Sequence, residues 1–292
     1  MMKTLQNQQT SALAKTALAL AALTVSLVSA VDPVAAAAIR GGAFNANTLP
    51  ANDDSSTGAV SIGFDANFFG LNFNQLFVNN NGNVTFDSPL GTFTPFNLTS
   101  TGRQIIAPFF ADVDTRGIGS GLVTYGTGTV DGRNAFGVNW INVGYFSQRT
   151  DKTNSFQLVL VDRSDTGAGN FDIEFNYDNI EWETGDASGG VNGLGGSSAR
   201  AGFSNGSGAP GTSFELPGSA VNGAFLNGGS NSLIANSLNS SVAGRYVFSA
   251  RSGVVDPGDP EPIPTPALLP GLIGMGVAAL RKRGQDDESA EA

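Results

Sequence analysis

Phe171-Asp-Ile-Glu-Phe-Asn-Tyr177 alternates without a break. Phe171, Ile173, Phe175 and Tyr177 fall on one side of a period-2 chain, and Asp172, Glu174 and Asn176 on the other. Such a stretch predicts a strand with one face in a core and one face wet. Just before it, Phe156-Gln-Leu-Val-Leu-Val161 is apolar on both faces apart from Gln157, which predicts a central strand. Ala135 to Phe146 and Arg245-Tyr-Val-Phe-Ser249 read as further strands. Upstream, Phe73 to Val78 and Val84-Thr-Phe86 flank Asn79-Asn-Asn-Gly82, and Asn-Gly tolerates the positive φ of a tight hairpin. Ile105 to Phe110 is another apolar run, and its Pro108 predicts a strand end or an edge. Ala187 to Ser240 is rich in Gly, Ser and Asn and predicts long loops with one or two short strands. The expected fold is mostly β: an antiparallel sheet or β-sandwich-like single domain with long Gly/Ser/Asn-rich loops, flanked by an N-terminal signal helix and a short C-terminal hydrophobic helix.

The ends differ in kind from this body. Lys3 and Lys15 precede an alanine- and leucine-rich run to Ala30, and small residues at Val28-Ser-Ala30 and Ala36-Ala-Ala38 fit cleavage by a signal peptidase. Residues 1–38 are therefore expected to be a signal peptide, cleaved after 30 or 38, and residues 39–252 the β domain. An acidic, proline-rich linker occupies 253–266. A short apolar segment with a basic stop (Arg281, Lys282, Arg283) covers 267–283, and an acidic tail 284–292. Fourteen uncharged residues, Ala267 to Leu280, fall short of the roughly 20 that a membrane helix needs.

Composition excludes several chemistries. The chain has no cysteine, hence no disulfide, thiolate nucleophile or Cys-ligated metal. It has no histidine, hence no imidazole base and no Ser-His-Asp triad. A net charge of −10 disfavours binding to nucleic acid.

Carboxylates carry what chemistry remains. Asp112-Val-Asp114 follows the run Ala107 to Ala111. A continuing strand would place both carboxylates on one face, where oxygens of the next turn could complete a Ca2+ site. The alternative is a solvated turn or one paired to Arg116. Asp172 and Glu174 share a strand face but are expected to solubilise it rather than to flank a glycosidic bond. Phenylalanine outnumbers tyrosine and tryptophan 20 to 6, so most aromatic residues are expected in the core. Trp182 and Trp140 are the candidate surface contacts.

Phe77-Val-Asn-Asn-Asn-Gly-Asn-Val-Thr-Phe86 and Ile106-Ala-Pro-Phe-Phe-Ala-Asp-Val-Asp-Thr-Arg-Gly117, followed by Phe175-Asn-Tyr-Asp-Asn-Ile-Glu-Trp182, resemble the nidogen-like (NIDO) extracellular domain. Phe110 stands where that family often has tryptophan. The resemblance implies a non-catalytic protein of the extracellular matrix or cell surface, acting in adhesion or matrix organisation, and it assigns no binding residue. A secreted glycan-binding protein, or a carboxylate-based carbohydrate-active enzyme, is the alternative. The C-terminus, with Pro264, Thr265, Pro266 and Ala267, resembles the cyanobacterial PTPA variant of the PEP-CTERM sorting signals. That resemblance implies an exosortase-type processing enzyme as partner, contact with exopolysaccharide or matrix protein, and a C-terminal segment in the membrane before processing. No cofactor is expected other than the candidate Ca2+.

Overall fold

The alternating stretch folds as a strand, Phe171–Asn179, with a partner on each side. The computed structural model of the protein describes residues 37–258. In chain order the strands are β1 (Asn47–Thr48), β2 (Val60–Phe68), β3 (Leu71–Asn79), β4 (Asn83–Thr85), β5 (Gln104–Phe110), β6 (Val113–Asp114) and β7 (Val123–Val130). They continue with β8 (Arg133–Tyr145), β9 (Arg149–Asp162), β10 (Phe171–Asn179), β11 (Arg200–Asn205), β12 (Ser213–Glu215), β13 (Arg245–Arg251) and β14 (Val254–Asp256). One sheet runs β1-β7-β8-β9-β10-β13-β14, with β6 also paired to β8. The other runs β12-β11-β5-β4-β3-β2. Paired strands are antiparallel throughout both sheets.

The two sheets close face to face on phenylalanines. Phe109 of β5 meets Phe156 of β9 at 5.2 Å between ring centres, and Phe203 of β11 meets Phe248 of β13 at 5.3 Å. Rings of this size bury large apolar areas and favour edge and tilted contacts, which hold a sandwich together without disulfides. The Asn-Gly hairpin forms: Asn79 pairs with Asn83 across the turn 80–82.

Three expectations need correction. The described residues contain no α-helix, only short 3₁₀ turns at Leu98–Ser100, Ser164–Thr166 and Asp186–Ser188, so the flanking helices form no part of the described fold. Residues 1–36 of the expected signal peptide and the whole C-terminal apolar segment lie outside the described residues. Of the two readings of Pro108, the edge fails, since β5 pairs with both β4 and β11. The strand end holds: Pro108 lies past Ile106, the last residue paired to β4, and two residues before β5 ends. Its missing N–H is tolerated because the β5–β11 register slips there, from Gly202 opposite Ala107 to Arg200 opposite Phe110.

The third correction concerns the wet face of β10. Glu174 and Asn176 are buried, beneath a strap formed by residues 38–44. Arg40 on the strap donates two hydrogen bonds of 2.8 Å to the Glu174 carboxylate. Arg245 donates to Asn176 Oδ1 at 3.0 Å and to the Ala38 carbonyl at 2.6 Å. The Asn176 amide donates to Gln157, whose own amide donates to Asn139. Polar side chains can be buried here because nearly every donor and acceptor among them has a partner.

Candidate metal centre

At one end of the sandwich the chain leaves β5, and Ala111 and Asp112 lie between strands before β6 resumes pairing. That break separates the two carboxylates of the Asp-Val-Asp motif. Asp114 is fully buried and spoken for: Arg116 grips it through Nε at 2.9 Å and a terminal nitrogen at 2.7 Å, and the Gln148 N–H donates at 2.8 Å. Burial would raise its pKa, but the bonds from Arg116 and Gln148 outweigh it and hold the carboxyl below the usual range.

Asp112 is the opposite case. It is 1% exposed, and its Oδ2 is buried with no hydrogen-bond partner. Gly185 packs so close that an added Cβ would lie 2.2 Å from that oxygen, so only a residue without a side chain leaves it room. Burial, reinforced by the charges of Asp53, Asp54, Asp114 and Asp186, pushes its carboxyl up to about 8. Glu183, also buried, shows the ordinary solution: the N–H groups of Gly223 and Phe225 donate to it. Asp112 has no such donors.

What faces it is more negative charge. Asp53, Asp54 and Asp112 each offer an oxygen, all within 4.8 Å of one another. Two oxygens bound to one Ca2+ at 2.3–2.6 Å can be at most about 5.2 Å apart, so the three could share an ion. Asp53 contributes a second buried oxygen without a partner, Oδ1, while its Oδ2 accepts from Arg116 at 2.8 Å. Burial, with the neighbouring Asp114 and Asp54 charges, pushes Asp53 up to about 6 against the pull of Arg116.

The frame for this cluster is the asparagine run. Asn80 is 1% exposed, and its amide donates to the carbonyls of Asp53 and Val113, both at 2.6 Å. Asn81 donates to Asp54 Oδ1 at 2.8 Å and accepts from the Val113 N–H at 2.9 Å. One hairpin turn therefore clamps the 52–54 loop against the 111–114 segment. Sequence reasoning reached Asp112 but gave the asparagines only a turn role, and it missed Asp53 and Asp54. The Asp-Asp pair is visible in the sequence, but nothing in its spacing joins it to Asp112.

Trp140 and Trp182 are not surface contacts: both are fully buried. Trp140 Nε1 donates to the Asn80 carbonyl at 2.9 Å, and Trp182 Nε1 to the Val143 carbonyl at 3.1 Å. Each therefore sits in the core with its one polar atom satisfied. Trp182→Ala is expected to cost about 3–5 kcal/mol of stability, read from the denaturant midpoint, as for other large buried aromatics. A midpoint unchanged from the parent would contradict this placement. Asp172 bonds Arg163 at 2.8 Å and Arg251 at 2.6 Å, and Glu174 is bound by Arg40, so this pair belongs to ion-pair networks rather than a cleft.

Residues 74–252 match the family model of the nidogen-like domain. The chain is 34% identical over 242 residues to alpha-tectorin of Mus musculus and to that of Homo sapiens, a match covering 73% of this chain and 10% of each relative. It is 30% identical over 132 residues to nidogen of Drosophila melanogaster, covering 37% of this chain and 10% of that protein. The chain thus spans about a tenth of the length of these relatives. No solved structure matches it.

The sorting-signal reading of Pro264, Thr265, Pro266 and Ala267 with Arg281, Lys282 and Arg283 does not stand. The family match ends at residue 252, and no helix among the described residues is long and apolar enough to cross a membrane. The exosortase-type partner, the membrane-held C-terminal segment and the cyanobacterial assignment rested on that reading and fall with it. The residues themselves lie outside the described part of the chain.

Proposed function

The chain belongs to the nidogen-like domain family, and from that premise we propose that it is an exported protein that organises extracellular matrix or mediates adhesion, with a Ca2+ ion held by Asp53, Asp54 and Asp112. The membership carries the coarse part, a non-catalytic extracellular role; the protein is not an enzyme. The observation that supports the finer part is the Asp112 carboxylate, buried without a hydrogen bond and facing like charges. An isolated buried carboxylate is expensive, and a divalent cation removes the cost by supplying the missing partner. Hard oxygen donors without histidine or cysteine suit Ca2+ rather than Zn2+. The ion would tie the 52–54 loop to the segment between β5 and β6 and stiffen the loop end of the sandwich for surface contact.

Calorimetric titration of the full chain with CaCl2 is expected to show one site with Kd of about 10⁻⁴ M, in the range of extracellular modules. Saturating Ca2+ at 100 times Kd should then add about 2.7 kcal/mol of stability. Retention of the protein on isolated extracellular matrix should fall in chelator. Neither heat nor stabilisation on adding Ca2+ would remove the cation reading, and absence of matrix retention in saturating Ca2+ would remove the adhesive one.

A further inference from the structure

Strand β2 forms one edge of the six-stranded sheet, and its pairing with β3 is interrupted. Val60 and Ser61 sit opposite Leu76 and Gln75, and regular pairing resumes only at Ala66 opposite Phe73. Residues 62–65 therefore bulge from the ladder with a single residue, Asn74, opposite them. The bulge leans toward the other sheet: a Cβ at Gly63 would touch the Thr127 methyl of β7 at 3.3 Å. Two hollows flank the bulge and share Ser61: one of about 380 Å³ between β2 and β3, and one of about 330 Å³ on the seam between β2 and β7.

The lining has a definite chemistry. Ser61, Asp65, Asn74, Gln75 and Thr127 are exposed, and none of them donates a side-chain hydrogen bond to another described residue. Tyr125 lines the same seam, half-buried against Phe136, with a hydroxyl that bonds to no described residue. Among the described tyrosines and tryptophans it alone is not buried. Phe64 adds a second, partly exposed ring.

We propose that the two adjoining hollows on either side of the β2 bulge together form a binding groove for a neutral, hydroxyl-rich glycan chain. Tyr125 in one is the stacking platform, and Asn74 and Gln75 in the other, with the shared Ser61, are the hydrogen-bonding wall. Other ligand classes fit less well. No arginine or lysine lines the groove and Asp65 does, so a polyanion would be repelled. The edge is bulged rather than flat, so a peptide strand could not add to it in register. A lipid or apolar peptide would strand the amides and hydroxyls without partners. A sugar offers what remains: an apolar ring face for the tyrosine and a rim of hydroxyls that both donate and accept. Two adjoining open hollows that share Ser61 suit a chain of sugars rather than a single ring. The groove is made by residues other than the acidic cluster, and it depends on the extracellular reading only for the setting in which a glycan would be met.

The test is calorimetric titration of the full chain with cellohexaose, maltohexaose, laminarihexaose and mannohexaose, with an alginate hexamer as anionic control. At least one neutral oligosaccharide should bind, and the alginate should not. Tyr125→Ala and Gln75→Ala should each weaken that binding about tenfold or more, while Tyr125→Phe keeps most of it. Gln75 is exposed, so its variant reports on binding even if Tyr125→Ala fails to fold. Absence of binding across the neutral panel, or binding unaffected by Gln75→Ala and Tyr125→Ala, would overturn the groove. Matrix retention that persists while the panel fails would remove the groove and leave the adhesive reading intact. Oligosaccharide binding unchanged in chelator would show that groove and cation are separate.

Discussion

Gly82→Ala is expected to yield no stably folded protein. Gly82 closes the turn between β3 and β4 at φ +73°, a region that L-residues enter at a cost. The greater obstacle is steric: a Cβ there would lie 1.8 Å from the Phe109 carbonyl oxygen and 2.8 Å from its carbon. Both are backbone atoms of a central strand, so no rotamer change relieves the overlap. The Phe109 N–H also donates to the Gly82 carbonyl at 3.2 Å, and moving the turn would break that bond and the Asn80 and Asn81 clamps beside it. The loss should exceed about 4 kcal/mol, a large part of the 5–15 kcal/mol by which domains are usually stable. Urea unfolding followed by tryptophan fluorescence reads it directly, since Trp140 bonds the Asn80 carbonyl in the same turn. A variant with a near-parental midpoint would mean the turn yields more easily than its contacts suggest.

Asp112→Asn should have opposite effects with and without Ca2+. The folded Asp112 carboxyl lies at about 8, above its unfolded value near 4, so the protonated form is the one folding favours. Its contribution is therefore fully present below about pH 4 and is lost as pH rises through about 8. Metal-free protein should lose stability across that window, by at most on the order of 5 kcal/mol. Asp53, pushed up to about 6 by burial, titrates within the same range, and the two should appear as one broad transition. Asparagine keeps the volume and carries no charge, so in chelator at pH 8 the variant should be more stable than the parent. It should also depend less steeply on pH, keeping only the Asp53 part of the transition. In saturating Ca2+ the order should reverse, because the ion needs the carboxylate, and affinity in the variant should fall at least about 100-fold. Thermal unfolding of both proteins from pH 4 to 8, with chelator and with CaCl2, gives all four curves. Coincident curves for parent and variant would exclude both the stranded charge and the ion.

How far the sequence disclosed this molecule depended on whether a signal was local. The alternation at 171–177 and the apolar run at 156–161 gave strands correctly, because period and face are properties of neighbouring residues. The Asn-Gly turn was equally local. What covered those strands was not. Glu174 looks solvent-bound until Arg40, 134 residues away, lies over it. Pro108 signals an edge until the β11 slip supplies a place for it in mid-sheet. Asp112 was legible as a carboxylate after a strand, but its companions come from the 52–54 loop and only the clamp by Asn80 and Asn81 brings them together. The tryptophans misled for a related reason: a polar edge suggests a surface, and here each edge found a backbone carbonyl inside.

The strap that covers β10 also decides how the molecule would carry tension. Its Ala38 carbonyl is held by Arg245, the first residue of β13, while β14, close to residue 258, is zipped to Ser249–Arg251 at the far end of that same strand. Because β14 doubles back, Gly258 packs on Asn239, which bonds the Val247 carbonyl. A pull between residues 38 and 258 would therefore enter near one end of β13 and peel β14 away, beginning at Asp256 opposite Ser249. The load path stays within the eight-stranded sheet and leaves the six-stranded sheet slack, together with the asparagine clamp and the β2 edge it carries.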